Sequence, residues 1–230
     1  MKRIGLIGGM SWESSAEYYR LVNATVKEKL GGLHSADCVM VSVDFDEIEA
    51  LQREARWTEA AELMVAAARA LEAAGADFVL LCTNTMHKVA DAIQAAITIP
   101  FIHIADPTAE AIKAAGLDTV GLLGTRFTME EDFYTGRLVE KHGLRVILPS
   151  QADRAIVHRV IYEELVLGIL RDDSREQYVR IMRDMVERGA QGVILGCTEI
   201  GLLVSAADST APLFDTTRLH ALAGVEAALV

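Results

Sequence analysis

The chain has 230 residues, 22 of them Lys or Arg and 33 Asp or Glu, for a formal net charge of −11. Hydrophobic residues make up 51% and charged residues 24%, enough apolar material for one large or two small globular domains. The acidic balance opposes attraction to nucleic-acid phosphates and anionic lipid, no apolar run nears the roughly 18 residues of a membrane span, and three cysteines argue against a disulfide framework.

Met1-Lys2-Arg3 followed by Ile4-Gly5-Leu6-Ile7 imitates a signal peptide, but Gly8-Gly9 interrupts the run and Glu13 follows without a small-residue cleavage site. Residues 3–7 therefore read as a first buried strand of a soluble, cytoplasmic protein. A helix is expected over 14–30, a strand over 38–43, and then a polar loop carrying Gln52, Arg53 and Arg56. A helix over 58–74 leads to a strand over 78–82, a helix over 86–96 to a strand over 101–104. The pattern continues with a helix over 107–115, a strand over 119–123, a helix over 129–142 and a strand over 145–147. Helices over 155–167 and 175–188, a strand over 192–195 and a helix over 219–229 complete it. Gly31, Gly75, Gly116, Gly143 and Gly189 stand just past helix ends, where a left-handed residue is commonly needed. The strands are apolar on both faces, as in parallel sheets covered by helices on each side. The expected class is α/β.

The chain also repeats itself. Gly75-Ala76-Asp77-Phe78-Val79-Leu80-Leu81-Cys82-Thr83-Asn84-Thr85 aligns without gaps to Gly189-Ala190-Gln191-Gly192-Val193-Ile194-Leu195-Gly196-Cys197-Thr198-Glu199. Ile4-Gly5-Leu6-Ile7-Gly8 likewise answers Val120-Gly121-Leu122-Leu123-Gly124 at nearly the same offset. Two pseudo-symmetric α/β domains follow, residues 1–105 and 106–217, each a parallel sheet flanked by helices. Residues 218–230 are expected to pack back on the first.

Ligands of open parallel sheets bind beyond the carboxyl ends of the strands, and Thr83-Asn84-Thr85 and Cys197-Thr198-Glu199 sit at matched ends. If the halves face one another, Thr83 and Cys197 confront each other across a cleft, suited to proton removal on one side of a small molecule and delivery on the other. A thiolate is a good base and nucleophile. Asn84, Thr85 and Thr198 offer amide, hydroxyl and backbone N–H groups for a carboxylate. Cys38 and Cys82 read as small buried hydrophobes. Gly5-Leu6-Ile7-Gly8-Gly9-Met10 lacks dinucleotide-fingerprint spacing and no Walker-type lysine follows, so this turn is expected to let a ligand approach the backbone, with Met10, Ser11 and Trp12 lining the cleft. No His/Cys/Asp cluster has metal-ligand spacing, and Lys88 lies on a helix rather than as a pyridoxal anchor. His103 reads as a packed core residue and His87 as a neighbour of the cleft.

With Gly8-Gly9-Met10-Ser11, Thr83-Asn84-Thr85 and Gly196-Cys197-Thr198-Glu199 on the page, the sequence resembles the aspartate/glutamate racemase family along essentially its whole length. Gly9-Met10-Ser11-Trp12-Glu13-Ser14 and Cys82-Thr83-Asn84-Thr85-Met86-His87-Lys88 look closest to the bacterial L-aspartate/glutamate-specific and broad-specificity branch. The resemblance implies a two-base mechanism without cofactor or metal, an active site between two domains, and a homodimer. One departure matters: the family's cysteine before Asn-Thr is Thr83 here. Cys82 stands one residue earlier, and a one-residue shift in a strand turns a side chain to the opposite face. The catalytic pair is therefore Thr83 and Cys197, with Cys82 a local alternative. The family associates the second-half cysteine with the L face, which gives Cys197 the L α-proton and Thr83 the opposite one.

Met10, Ser11, Asn84, Thr85, Thr198 and Glu199 are the expected substrate contacts. Gln52 and Arg53, with Arg56, are candidates for a distal carboxylate, and Glu163 or Glu164 for the ammonium group. Two alternatives stay open: a decarboxylase or cis-trans isomerase of a small dicarboxylic acid on the same scaffold, and a noncatalytic amino-acid-binding protein.

Overall fold

All five residues of β1 (Ile4–Gly8) are buried, as befits a strand with parallel neighbours on both sides and helices above and below. The computed structural model describes residues 1–230. It places β1 between β2 (Cys38–Ser42) and β3 (Phe78–Leu81), with β4 (Phe101–Ile102) outside β3, in a parallel sheet ordered β2-β1-β3-β4. β5 (Thr119–Gly124), β6 (Arg145–Ile147), β7 (Gly192–Gly196) and β8 (Leu213–Asp215) form a second parallel sheet ordered β6-β5-β7-β8. The repeated segments therefore occupy equivalent strands: β1 and β5 hold one central position, β3 and β7 the other. Two pseudo-symmetric α/β halves, each a helix-flanked parallel sheet, are what the repeat anticipated.

The residues fall into two compact units, one of residues 1–104 and 220–230 and the other of residues 105–219. In the first, α1 (Trp12–Leu30) starts at Ser11, whose side chain accepts the Ser14 N–H. α2 (Phe45–Arg53) starts at Asp44, whose carboxylate accepts the Asp46 N–H. This segment is a helix, not the polar loop expected around Gln52 and Arg53. Its acidic composition hides a buried stripe of Ile48, Leu51 and Gln52 at helical spacing. α3 (Trp57–Ala73) covers the sheet, and a 3-10 turn over Thr85–Val89 precedes α4 (Ala90–Ala96).

The second unit begins with α5 (Ala105–Ala114). The single helix expected over 129–142 is broken. Thr125 caps a short α6 (Arg126–Glu130), Glu131 is extended, and α7 (Asp132–Gly136) runs into a π turn over Arg137–Lys141. That turn brings Arg137 and Lys141, with His142, onto Asp106 at 2.7–2.8 Å. Burial alone would oppose ionisation of Asp106, but these three hydrogen-bonding partners hold its carboxyl well below the usual range. α8 (Gln151–Glu163), α9 (Asp172–Glu187) and the short α10 (Ile200–Leu203) complete the unit. β8 escaped the sequence reading because three residues after Pro212 carry no periodicity. All five glycines expected past helix ends have positive φ, from 69° to 102°.

The last helix, α11 (Thr216–Leu229), starts in the second unit, and its residues from His220 on belong to the first. There Ala221, Val225 and Ala228 join Ile4, Leu6, Tyr18, Val22, Phe78 and Leu80 in one core cluster. Fully buried His220 uses both ring nitrogens: Nε2–H donates to the Ile102 carbonyl at 2.8 Å, so Nδ1 accepts from the Tyr18 hydroxyl at 2.8 Å. His220→Ala strands a buried hydroxyl and a carbonyl at once. A loss of about 2–4 kcal/mol in unfolding free energy is expected, read from urea denaturation; a change below about 0.5 kcal/mol would show that the pair is immaterial.

Candidate active site

In each unit the candidate residues stand at the carboxyl ends of the strands. After β1, Gly9 has φ of 98°, and a Cβ on it would lie 2.1 Å from the Val43 carbonyl oxygen. The partner that approaches this backbone is thus the chain itself, at the end of β2. Ser15 Oγ accepts the Gly9 N–H at 2.7 Å and donates to the Ser11 carbonyl at 2.9 Å, which fixes the turn. Ser11 is buried as the cap of α1, whereas Trp12 is exposed. Met10 packs into the core with Ile48, Leu51 and Met86, and buried Gln52 donates from Nε2 to Met86 Sδ at 3.1 Å. Met10 and Gln52 are thus both buried. Arg53 does not join them: it is exposed and bound to Glu49 at 2.6 Å. Arg56 is held between Glu54 at 2.9 Å and Glu59 at 2.6 Å, which raises its pKa further.

After β3, Cys82 and Thr83 part ways. Cys82 has no exposed surface and lies in the core cluster with Tyr18, Leu80 and Ala221, where burial pushes its thiol pKa far up. Thr83 follows beyond the strand, nearly buried, with its N–H bonded to the Leu81 carbonyl at 2.9 Å. The Thr83 carbonyl is clamped by His87, whose ring accounts for both of its nitrogens. Nδ1 faces the carbonyl at 2.7 Å and must donate; Nε2 receives the Ile104 N–H at 3.1 Å and must accept. His87 thereby ties the end of β3 to the segment after β4. The signal for this clamp was the four-residue spacing from Thr83 to His87 across one turn. His103 packs edge-on against His87, ring centroids 4.4 Å apart. Asn84 and Thr85 are buried at the start of the 3-10 turn.

After β7 the arrangement is acidic. Cys197 Sγ donates to Glu199 Oε2 at 3.0 Å, and Thr198 Oγ1 donates to the same oxygen at 2.7 Å. One buried carboxylate thus joins all three residues named for this tip. Burial first, and then the charge and hydrogen bond of Glu199, hold the Cys197 thiol well above its ordinary pKa. Glu164, buried where α8 ends, accepts from Ser174 Oγ at 2.7 Å and lies 3.5 Å from Arg159, while Glu163 is solvent-exposed. Buried Tyr178 donates to the Val157 carbonyl at 3.0 Å.

The sign of the Cys197 shift is testable. Removing a negative charge and a proton acceptor beside a thiol favours the thiolate, so Glu199→Gln is expected to move alkylation of Cys197 by iodoacetamide to lower pH. Peptide mass spectrometry separates Cys197 from Cys38 and Cys82. An unmoved or upward-moved profile would count against Glu199 as the group that holds the proton on sulfur.

A model of the Asp/Glu/Hydantoin racemase family matches residues 7–224. The chain belongs to this family. The crystal structure of a candidate Asp/Glu racemase from Yersinia pestis is 56% identical over the full length of both chains, with a TM-score of 0.94. An aspartate racemase homologue from Pyrococcus horikoshii OT3 is 35% identical over both full chains, with a TM-score of 0.86. The broad specificity amino-acid racemase RacX of Bacillus subtilis is 25% identical over 150 residues, 64% of this chain and 63% of RacX. The chain thus spans just under two thirds of that relative. No helix of this family member is long and apolar enough to cross a membrane.

Proposed function

We propose that this protein is a cofactor-independent amino-acid racemase that interconverts the enantiomers of aspartate or glutamate at the α-carbon. The observation that carries the reading is the matched pair of strand-end tips, Thr83 after β3 and Cys197 after β7, in two sheets of the same order. Cys197 acts on the L face. Its proton rests on sulfur against Glu199, so the thiolate forms as that proton passes along the 3.0 Å hydrogen bond to Oε2. The thiolate then takes the α-proton of the L-amino acid, and the C–H electron pair is left on a carbanion conjugated with the α-carboxylate. Thr83 delivers a proton to the opposite face and regains one from solvent, while Glu199 releases to solvent the proton it took from sulfur. Asn84, Thr85, Ser11 and Thr198 hold the α-carboxylate. A homodimer in the cytoplasm belongs to the same reading.

Threonine in the first-half position makes the two directions unequal in ease. A hydroxyl is a far weaker acid than a thiol, and abstraction of the D α-proton by Thr83 needs an alkoxide. The test is an α-proton exchange screen in deuterium oxide over L- and D-amino acids. Exchange from L-aspartate or L-glutamate supports the reading. Loss of carbon dioxide from a small dicarboxylic acid without exchange, or tight amino-acid binding without exchange, replaces it with a decarboxylase or a binding protein.

A further inference from the structure

We propose that Arg126 is the residue that recognises the distal carboxylate of a dicarboxylic amino-acid substrate. This inference deepens the racemase reading and rests on it. The first-half arginines picked from sequence for this role, Arg53 and Arg56, already hold carboxylates of the chain, as do Arg137, Arg154, Arg175 and Arg180. The Arg126 guanidinium holds none. The side chain is exposed and lies over the Phe127 ring, 5.4 Å from the centroid.

Position singles it out among such arginines. Arg69 lies on α3 and donates to the Ala96 carbonyl at 3.4 Å, Arg145 opens β6 at the opposite, amino edge of the sheet, and Arg183 lies along α9. Arg126 follows the carboxyl end of β5, two residues past Gly124, and Gly124 pairs with Gly196, the residue before Cys197. Adjacent strands run about 4.8 Å apart, so Arg126 leaves the sheet beside the thiol, within a long side chain's reach of a substrate held there. Its backbone is fixed from two sides. The Arg126 N–H donates to His158 Nδ1 at 3.2 Å, and Thr125 accepts the Thr128 N–H at 3.3 Å. The nearby Glu130 is occupied by Arg154 at 2.7 Å. Arg218 also lies past a strand end, but its N–H is bonded to Asp215 Oδ1 at 3.2 Å, so a like charge stands in the same turn against any incoming anion.

A charge-assisted bidentate contact is worth a factor of about ten or more in binding. Arg126→Gln is therefore expected to raise KM for L-aspartate and L-glutamate exchange about tenfold while kcat stays within about twofold. Arg126→Lys should recover part of the loss, and Arg218→Gln, with the same change of charge, should recover the parent's values. Calorimetry supplies a readout independent of turnover: Arg126→Gln should weaken succinate about tenfold and leave its half-amide, succinamate, unchanged. Equal weakening of succinate and succinamate, no weakening of either, or an equal effect of Arg218→Gln overturns the assignment. If the parent exchanges no amino acid, the racemase reading fails, and the succinate comparison still decides Arg126. A parent that binds neither compound and exchanges nothing overturns both.

Discussion

Cys197→Ala is expected to lower α-proton exchange from L-aspartate and L-glutamate by about a thousandfold or more, with the fold intact. The side chain removed is small and partly buried, and the carboxylate that it leaves, Glu199, keeps its hydrogen bond from Thr198 Oγ1 at 2.7 Å. Nothing in the core depends on the sulfur, so the loss is chemical rather than structural and circular dichroism should not change. Neither of the other thiols can substitute: Cys82 is sealed in the core, and burial followed by the neighbouring Asp37 raises Cys38. Exchange that survives within tenfold in Cys197→Ala would remove the cysteine mechanism altogether. Cys197→Ser refines the result, because a hydroxyl against Glu199 keeps the hydrogen bond but is a much poorer base.

The second large effect is a gain. Thr83→Cys should raise exchange from D-aspartate and D-glutamate about a hundredfold, since an ordinary thiol ionises near pH 8.5 and a hydroxyl does not ionise in the accessible range. The substitution is nearly isosteric, and the His87 clamp grips the backbone carbonyl of residue 83 rather than its side chain, so the new thiol should occupy the hydroxyl's position. Thr83→Ala gives the complementary result: L-substrate exchange that is retained while D-product formation falls. Any shared path must still run in both directions, so initial exchange from each enantiomer is the quantity to compare. Parent exchange that is rapid and equal from both enantiomers would end the asymmetric assignment before any variant is made.

Much of this molecule was legible in its residues because parallel sheets write themselves as short, fully apolar runs. β1, β3, β5 and β7 were each found to within a residue at either end, and the 114-residue repeat fixed which strands correspond. The failures were local and have local causes. α2 shows only Ile48, Leu51 and Gln52 to the core, too few apolar groups to outweigh its acids. The segment over 129–142 reads as one helix because periodicity cannot see an extended Glu131. The strand-end tips were visible as motifs, whereas the partners of their side chains were not. That Glu199 would accept a hydrogen bond from the Cys197 thiol, that Arg53 would be spent on Glu49 and that Arg126 would be left without a carboxylate are matters of three-dimensional placement, which spacing along a chain does not encode.

The return of α11 to the first sheet reverses the order in which synthesis and folding proceed. Residues 105–219 form a contiguous unit, all of it made before residue 220. Residues 1–104 emerge earlier yet wait longer, because Ala221, Val225 and Ala228, which share a core cluster with Ile4, Leu6 and Leu80, are made more than a hundred residues later. During that interval the nascent amino-terminal sheet presents a bare apolar face, the kind of surface that chaperones bind and that drives aggregation. A chain that stalls or is clipped before residue 220 would carry both strand-end tips and still lack a finished first domain.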